Sequence, residues 1–377
     1  MKFLHCSDLH LGIRPHEMDL TADQQDILEK IVAAAQENQV DAVLVAGDVY
    51  DRSQPNRSAV NLLDDFITRL AAAHIPAYFI SGNHDSPDRL NFGNRLLEVS
   101  GIHLASVFSG NAVRYDLQDE YGPLHLWALP FVRPSAVRAA FPEAEITDYT
   151  TAVQVLVDNM ELNTDERNLL MAHQFVTNGG RPPVRSDSEI ISVGNLDNVD
   201  ARVLEPFDYV ALGHIHTPQN VGSEKVRYCG TPLVYSGSEC GREKTLTLVE
   251  LKEKGELTVT ELPVVPLHPV RRIQGELQQL LDSGSPSEDY IYATLTDDPP
   301  RSDGLAQLRA YYPNLMKLEL RPHKKGEASV SRPELERVAH KSTEELFTEF
   351  FQKIHGREMT VEELEFMRDA LGEEAEA

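Results

Sequence analysis

The 377 residues carry 60 acidic and 35 basic side chains, a formal net charge of -25, and 41% of them are hydrophobic. That composition supports a buried core with room for one large domain and one or two smaller modules, and its acidity argues against unaided binding to nucleic acid. The 3 cysteines, Cys6, Cys229 and Cys240, form no Cys-x-x-Cys pair, which argues against a disulfide framework and fits a reducing compartment. No apolar run is long enough to cross a bilayer and Met1–Asp8 is too short and polar for a signal peptide, so a cytoplasmic protein is expected.

Phe3–Cys6 reads as a short apolar strand. A helix follows, with Thr21-x-x-Gln24 as its capping box and Ile27, Leu28, Ile31, Val32 and Ala35 at helical spacing. Ala42–Ala46 is a strand with no polar residue, a second helix carries Val60, Leu63, Ile67 and Leu70, and Ala77–Ile80 is a third strand. This alternation predicts parallel pairing with helical crossovers. From about 113 to 265 strands dominate, with helices near 134–141 and 149–161, and a second sheet packed on the first is expected. After 263–269 the pattern restarts as strand (270–273), helix (276–281), strand (290–295), helix (304–311) and strand (315–320), a small α/β module. A linker and two short helices close the chain, with Ser342-x-x-Glu345 and Thr360-x-x-Glu363 as caps. The expected division is 1–265, 266–322 and 323–377.

Five polar clusters each follow an apolar strand directly. They are Asp8-Leu9-His10, Gly47-Asp48-Val49-Tyr50-Asp51, Gly82-Asn83-His84-Asp85, Ala172-His173 and Gly213-His214-Ile215-His216. Ligands of open α/β sheets bind at the carboxyl ends of the strands, so all five are expected to project into one crevice. Asp8, Asp48, Asn83, His10, His173, His214 and His216 offer mixed oxygen and imidazole donors. That set suits Mn²⁺, Fe or Zn²⁺ and lacks the thiolates of a structural zinc site. Seven side chains serve two ions only if one carboxylate bridges, and Asp48, directly after the most apolar strand, is the choice. Glycines 47, 82 and 213 are expected to let the backbone turn sharply before each ligand. An isolated Asp-x-His, or His173 alone, reads better as a surface turn; it is the five clusters at successive strand ends that carry the reading. His5, His74, His103 and His125 lack this context and read as packing or surface residues, His16 lies near enough to approach a substrate, and Trp127 reads as core.

Asp-x-His, Gly-Asp-x-x-Asp, Gly-Asn-His-Asp, a lone His and Gly-His-x-His, in this order, resemble the calcineurin-like metallophosphoesterases. "HCSDLHLG", "VAGDVYDR", "GNHDS", "YVALGHIH" and "VRYCGTP" narrow the resemblance to the SbcD-type nuclease subunits of that superfamily. The resemblance implies an α/β fold, a two-sheet metallophosphoesterase sandwich flanked by helices, with a small α/β capping domain and C-terminal helices. Residue by residue, it implies Asp8, His10, Asp48 and His216 around one divalent ion, manganese above all, and Asp48, Asn83, His173 and His214 around another. Such a pair lowers the pKa of a water and clamps the oxygens of an in-line displacement. His84 is then the catalytic histidine at the departing oxygen, Asp85 orients His84 or a ligand, and Asp51 acts likewise.

The implied activity is a DNA nuclease, 3′→5′ on double-stranded ends and endonucleolytic on single strands and hairpins. The implied partner is an SbcC-type coiled-coil ATPase, since no Gly-x-x-x-x-Gly-Lys-Ser/Thr loop is present here. A homodimer through the helices at 60–70 and 90–97 is implied too, with core packing an equally good account of them. Arg14, Arg52, Arg57, Arg89, Arg95, Arg181 and Arg185 lie near the metal motifs. Two or three of them are expected to contact phosphate, Arg14, Arg52, Arg89, Arg181 and Arg185 being the candidates. Leu346, Phe347, Phe350 and Phe351 offer a face for a partner helix, or dock on the protein's own module. Two other readings stay open: a phosphatase or nucleotide phosphodiesterase acting on a small substrate, which the acidic charge favours slightly, and a scaffold that loads its partner onto DNA ends.

Overall fold

A computed structural model describes residues 1–189, 197–299, 301, 303–321, 348, 351–352, 357–360 and 363–364. Residues 1–321 form one compact unit and 322–377 a second.

The first stretch runs β1 (Lys2–Cys6), α1 (Thr21–Glu37), β2 (Ala42–Ala46), α2 (Arg57–Ala72), β3 (Ala77–Ile80), α3 (Pro87–Leu90), α4 (Asn94–Leu97) and β4 (Ile102–Ala105). The second runs β5 (Val113–Asp119), β6 (Gly122–Leu129), α5 (Pro134–Ala140), α6 (Tyr149–Asp158), β7 (Arg167–His173), β8 (Phe175–Thr177), β9 (Asn198–Asp200), β10 (Tyr209–Gly213), β11 (Gln219–Val221) and β12 (Ser223–Tyr228). β13 (Lys244–Leu251) and β14 (Leu257–Val264) form a hairpin. Then come β15 (Val270–Gly275), α7 (Leu277–Ser283), β16 (Tyr290–Leu295), α8 (Gly304–Tyr311) and β17 (Leu315–Leu320).

Two six-stranded sheets result, ordered β14-β13-β1-β2-β3-β4 and β11-β12-β10-β7-β6-β5, with the parallel sheet β15-β16-β17 apart from them. The two-period of a strand explains the layering. In β2, Val43 and Val45 join the core beneath α1 and α2, while Ala42, Leu44 and Ala46 face the other sheet. In β10, Tyr209 and Ala211 meet them there, while Val210 and Leu212 turn outward beneath α5 and α6. Central strands apolar on both faces give the order helices, sheet, sheet, helices, as expected for a two-sheet sandwich. The small module has its own core of Leu277, Ile291, Ala293, Leu295, Leu308 and Leu315.

Two local expectations are corrected. The strands at 244–264 do not extend the second sheet: β13 pairs antiparallel with β1, Phe3 opposite Val249, and so closes the first sheet. Alternating hydrophobicity marks a strand without naming its neighbour. Thr21-x-x-Gln24 forms no capping box either. Thr21 bonds to Asp19, and Gln24 turns inward to the carbonyls of Leu9 and His10 and the amide of Gly12. At the chain's other end the box does form: Glu363 accepts from the Thr360 amide at 2.8 Å and the Thr360 hydroxyl accepts from the Glu363 amide at 3.3 Å. Among the described residues no helix is long and apolar enough to cross a membrane.

Candidate metal centre

β1, β2 and β3 of one sheet, and β7 and β10 of the other, end side by side. Each releases one polar cluster into the shared edge. Asp8, His10, Asp48, His173 and His216 are buried there. Four of the backbones are strained, because Asp8 (φ 53°), His10 (φ 42°), Asp48 (φ 48°) and His214 (φ 103°) occupy positive φ. L-residues adopt that region at a cost, and such positions cluster where function fixes a side chain's direction. Short backbone bonds hold the loops: the Asp8 amide to Gly47 O and the His10 amide to Asp48 O, both 3.0 Å.

Of the three glycines, only Gly47 has the left-handed backbone expected (φ +88°). Gly82 and Gly213 are required for room instead. A Cβ on Gly213 would stand 1.9 Å from Ala46 O and 2.7 Å from His173 Nδ1. Gly213→Ala is therefore expected to force the sheets apart at the site, costing roughly 2–3 kcal/mol. Denaturant unfolding checks this; a variant as stable as the parent would show that the sheets separate freely.

The donors converge. His173 Nδ1 donates to Ala46 O at 2.8 Å, so its Nε2 faces inward, 3.1 Å from Asn83 Oδ1 and 3.3 Å from Asp48 Oδ2. Asn83 Oδ1 also lies 2.9 Å from His214 Nδ1. On the other side His10 Nε2 and His216 Nε2 approach to 3.2 Å, with Asp48 Oδ2 3.7 Å from His10. Asp8, His10 and His216 thus form one triplet of donors, Asp8, Asp48 and His173 a second and His10, Asp48 and His84 a third, so that Asp8, His10 and Asp48 each belong to two. Ring nitrogens and side-chain oxygens at these distances are joined by a shared proton or by a cation among them. The arrangement fits divalent ions, and the oxygen-plus-imidazole chemistry fits them as well.

The electrostatics agree. Burial lowers the pKa of His10, His214 (to about 3) and His216, which keeps these imidazoles neutral and available as ligands. Burial opposes charge on Asp48 too, but the rings of His173, His10 and His84 outweigh it and hold the carboxyl well below the usual range. Asp8 is raised, by burial first and by the Asp48 carboxylate. Burial also opposes a charged His173, yet Asp48 and Asp8 push it up to about 9. That site attracts a cation of either kind, proton or metal.

The remaining predicted residues fall in several places. His84 donates Nδ1–H to the carbonyl of Asp51 at 2.8 Å, and its Nε2 stands 4.0 Å from Asp48 Oδ2. The Asp85 carboxylate accepts from the amides of Val49 (3.1 Å), Tyr50 (2.8 Å) and Gly82 (2.9 Å), so its bonds tie the second motif to the third through the backbone. The Asp51 carboxylate lies 3.8 Å from His10 Nδ1 and 3.3 Å from the exposed Arg52. Arg185 lies over Phe175, whose ring meets His214 edge-on. Arg14 is exposed and bonds to Glu17 O. Arg181 is exposed beyond His173, and Arg89 lines an apolar groove instead. Leu346, Phe347 and Phe350 lie outside the described residues; Phe351 is half-buried beneath the Arg357 guanidinium. Trp127 is buried and bonds to Asn168, and His5 is buried against Tyr209.

Sequence reasoning missed a cavity of about 550 Å³ beside the centre, lined by His16, Ser188, Tyr235, Arg272, Lys317 and Arg321 among others. Tyr235 joins it to the donors, its ring meeting those of His10 and His216. The three cations come from the small module or its end, and no local motif announces them.

A profile of the calcineurin-like phosphoesterase family matches residues 1–218, and one described as the type 5 capsule protein repressor C-terminal domain matches 266–355. The chain is 30% identical to the SbcD subunit of the nuclease SbcCD of Staphylococcus epidermidis over 325 residues, 84% of this chain and 85% of that one. It is 31% identical to the same nuclease subunit of Staphylococcus saprophyticus over 330 residues, 84% of each chain. Among solved structures, a dimetal phosphatase from Danio rerio aligns over 71% of this chain and 98% of its own at 16% identity and a TM-score of 0.45, a level that adds nothing to the assignment.

Proposed function

This chain belongs to the calcineurin-like phosphoesterase family, among its SbcD-type nuclease subunits, and from that premise we propose that it hydrolyses DNA phosphodiesters at a centre of two divalent ions, manganese foremost. Asp8, His10, Asp48 and His216 would hold one ion and Asp48, Asn83, His173 and His214 the other. The observation that carries this reading is the convergence of ring nitrogens on Asp48 Oδ2 and Asn83 Oδ1. Bound there, the ions supply an activated water and neutralise phosphate charge.

The chain's own residues do the rest. His84, aimed by its bond to Asp51 O, presents Nε2 to the departing oxygen and stabilises or protonates it. Arg272, Lys317 and Arg321 line a path along which a phosphodiester backbone reaches the centre. Glu319 pairs there with Lys317 at 3.0 Å and Arg321 at 2.8 Å, and Asp187 lines the same cavity, so the path carries one net positive charge in a chain of net charge -25. Residues 1–265 are the catalytic domain, 266–322 a capping domain, and 323–377 the segment that binds an SbcC-type ATPase. The substrates are double-stranded ends cut 3′→5′, and single strands and hairpins cut internally, in the cytoplasm.

The test is manganese-dependent cleavage of an end-labelled DNA hairpin by the purified chain, with para-nitrophenyl phosphate in parallel. Hairpin cutting supports the reading. Turnover of the small ester alone, unchanged by the ATPase partner and ATP, would move the assignment to a small-substrate phosphatase.

A homodimer accounts for an otherwise exposed apolar surface. Phe92, Leu96 and Val99 are 86%, 78% and 88% exposed beside a groove of about 620 Å³ that Val60, Leu63 and Ile67 also line. The parent chain is expected to sediment as a dimer at micromolar concentration and Leu96→Arg as a monomer. A monomeric parent would remove the dimer.

A further inference from the structure

His216 can serve as a ligand only if its Nε2 is free of hydrogen, because Nε2 is the atom that faces His10. Imidazole carries its single proton on either nitrogen, so what lies at Nδ1 decides. There the Ser188 hydroxyl stands at 2.7 Å. A hydroxyl has one proton to give, and Ser188 has a better recipient than an imidazole: Glu239 Oε1 at 2.8 Å. Glu239 is fully buried and bonded to the ammonium of Lys244 at 2.6 Å. Ser236 donates to the same carboxylate oxygen at 2.8 Å, and Lys244 also bonds to Thr231 Oγ1 at 2.6 Å and His216 O at 3.3 Å. With its proton committed to a carboxylate, the Ser188 oxygen accepts from His216 Nδ1–H.

Resting on the reading of His216 as a ligand, we infer that Ser188 and the buried Glu239–Lys244 pair are positioning residues, which fix His216 in the tautomer and orientation that one of the two metal sites requires. A reversed bond, Ser188 donating to Nδ1, would put hydrogen on Nε2 and aim it at His10. The ion pair thus works at a distance: it sets the direction of one hydroxyl, which sets the location of one proton. Its members come from the loop after His173, the turn before β13 and the first residue of β13. The fold therefore brings three distant segments to one ring nitrogen.

The test is calorimetric titration of the metal-stripped full-length chain with Mn²⁺, beside ¹⁵N spectra of its histidine rings. Groups that orient a ligand imidazole typically contribute about 10–100-fold in metal affinity. Ser188→Ala is expected to weaken one of two binding events by that factor and leave the other alone, with His216 losing its Nδ1–H signature. Ser188→Thr, which keeps the hydroxyl, restores both. Glu239→Gln is expected to act as Ser188→Ala does. Should it fail to fold because Lys244 is left unpaired, Glu239→Gln with Lys244→Met carries the same test. Ser188→Ala with parental affinities and tautomer would overturn the inference. His216→Ala is the control for the premise. If it costs one ion while Ser188→Ala costs none, only the positioning role falls; if it costs no ion, the ligand reading itself falls.

Discussion

His84→Ala is expected to lower kcat for DNA cleavage by about 10²–10⁴-fold, the range general acid–base groups supply, while both metal affinities stay within about threefold of the parent. The geometry sets this split. His84 Nδ1 is bound to Asp51 O, and Nε2, 4.0 Å from Asp48 Oδ2, stands at the margin of the donors rather than within them. Removing the ring therefore leaves Asp48 Oδ2 to His173 and His10. The backbone amide of His84, which bonds to Asp48 Oδ1 at 2.9 Å, is untouched by the substitution. A loss confined to kcat, with KM little changed, marks an interaction made in the transition state. A competing arrangement exists, since His10, Asp48 and His84 are close enough together to share a cation. Calorimetry with Mn²⁺ separates the two. If His84→Ala removes a metal ion, His84 is a ligand and its role at the departing oxygen falls.

The centre was legible in the sequence to the extent that its chemistry is local. Asp8, Asp48, Asn83, His173 and the pair His214 and His216 each stand directly after an apolar strand, and parallel topology sends such ends to one edge. The strands were legible for the same reason: Ala42–Ala46 has no polar residue because β2 is covered on both faces. What failed was whatever depends on distant partners. Gln24 sits where a capping residue would, yet its amide reaches the Leu9 and His10 carbonyls and braces the first metal loop. Gly82 and Gly213 were recognised as necessary, but for turning. The reason is the close approach of Asp48 and Ala46 from neighbouring strands, which no spacing reveals. Ser188, Glu239 and Lys244 carry no motif at all; their function exists only once a loop, a turn and the start of β13 meet behind His216. β13 was found as a strand and assigned to the wrong sheet, because partner choice is a property of the fold.

Asp48→Asn is expected to abolish activity and metal binding while sparing the fold, and the reasons lie in the two oxygens of one side chain. Oδ1 accepts the His84 amide, a bond asparagine keeps. Asparagine also tolerates the left-handed backbone of position 48 (φ 48°) better than most residues. Oδ2 faces His173 at 3.3 Å, His10 at 3.7 Å and His84 at 4.0 Å, and asparagine puts there either an amide NH₂ or a neutral oxygen. A carboxylate shared between two of the donor triplets is then gone, so both affinities should fall by about 100-fold or more. Stability without metal should fall as well. Against the cost of burial, the rings of His173, His10 and His84 hold the Asp48 carboxyl below its usual range, and Asp48 in turn pushes His173 up to about 9. Removing the carboxylate leaves the buried His173 without that partner, so the metal-free variant should melt below the parent at neutral pH. Mn²⁺ widens the gap. At a hundred times its Kd an ion bound only to the folded state adds about 2.7 kcal/mol, roughly 3–4 °C in a chain of this size. The parent should show that rise and Asp48→Asn should not. A variant that keeps the full Mn²⁺-dependent rise would mean that Asp48 bridges nothing and that the ions are held by the histidines and Asp8 alone.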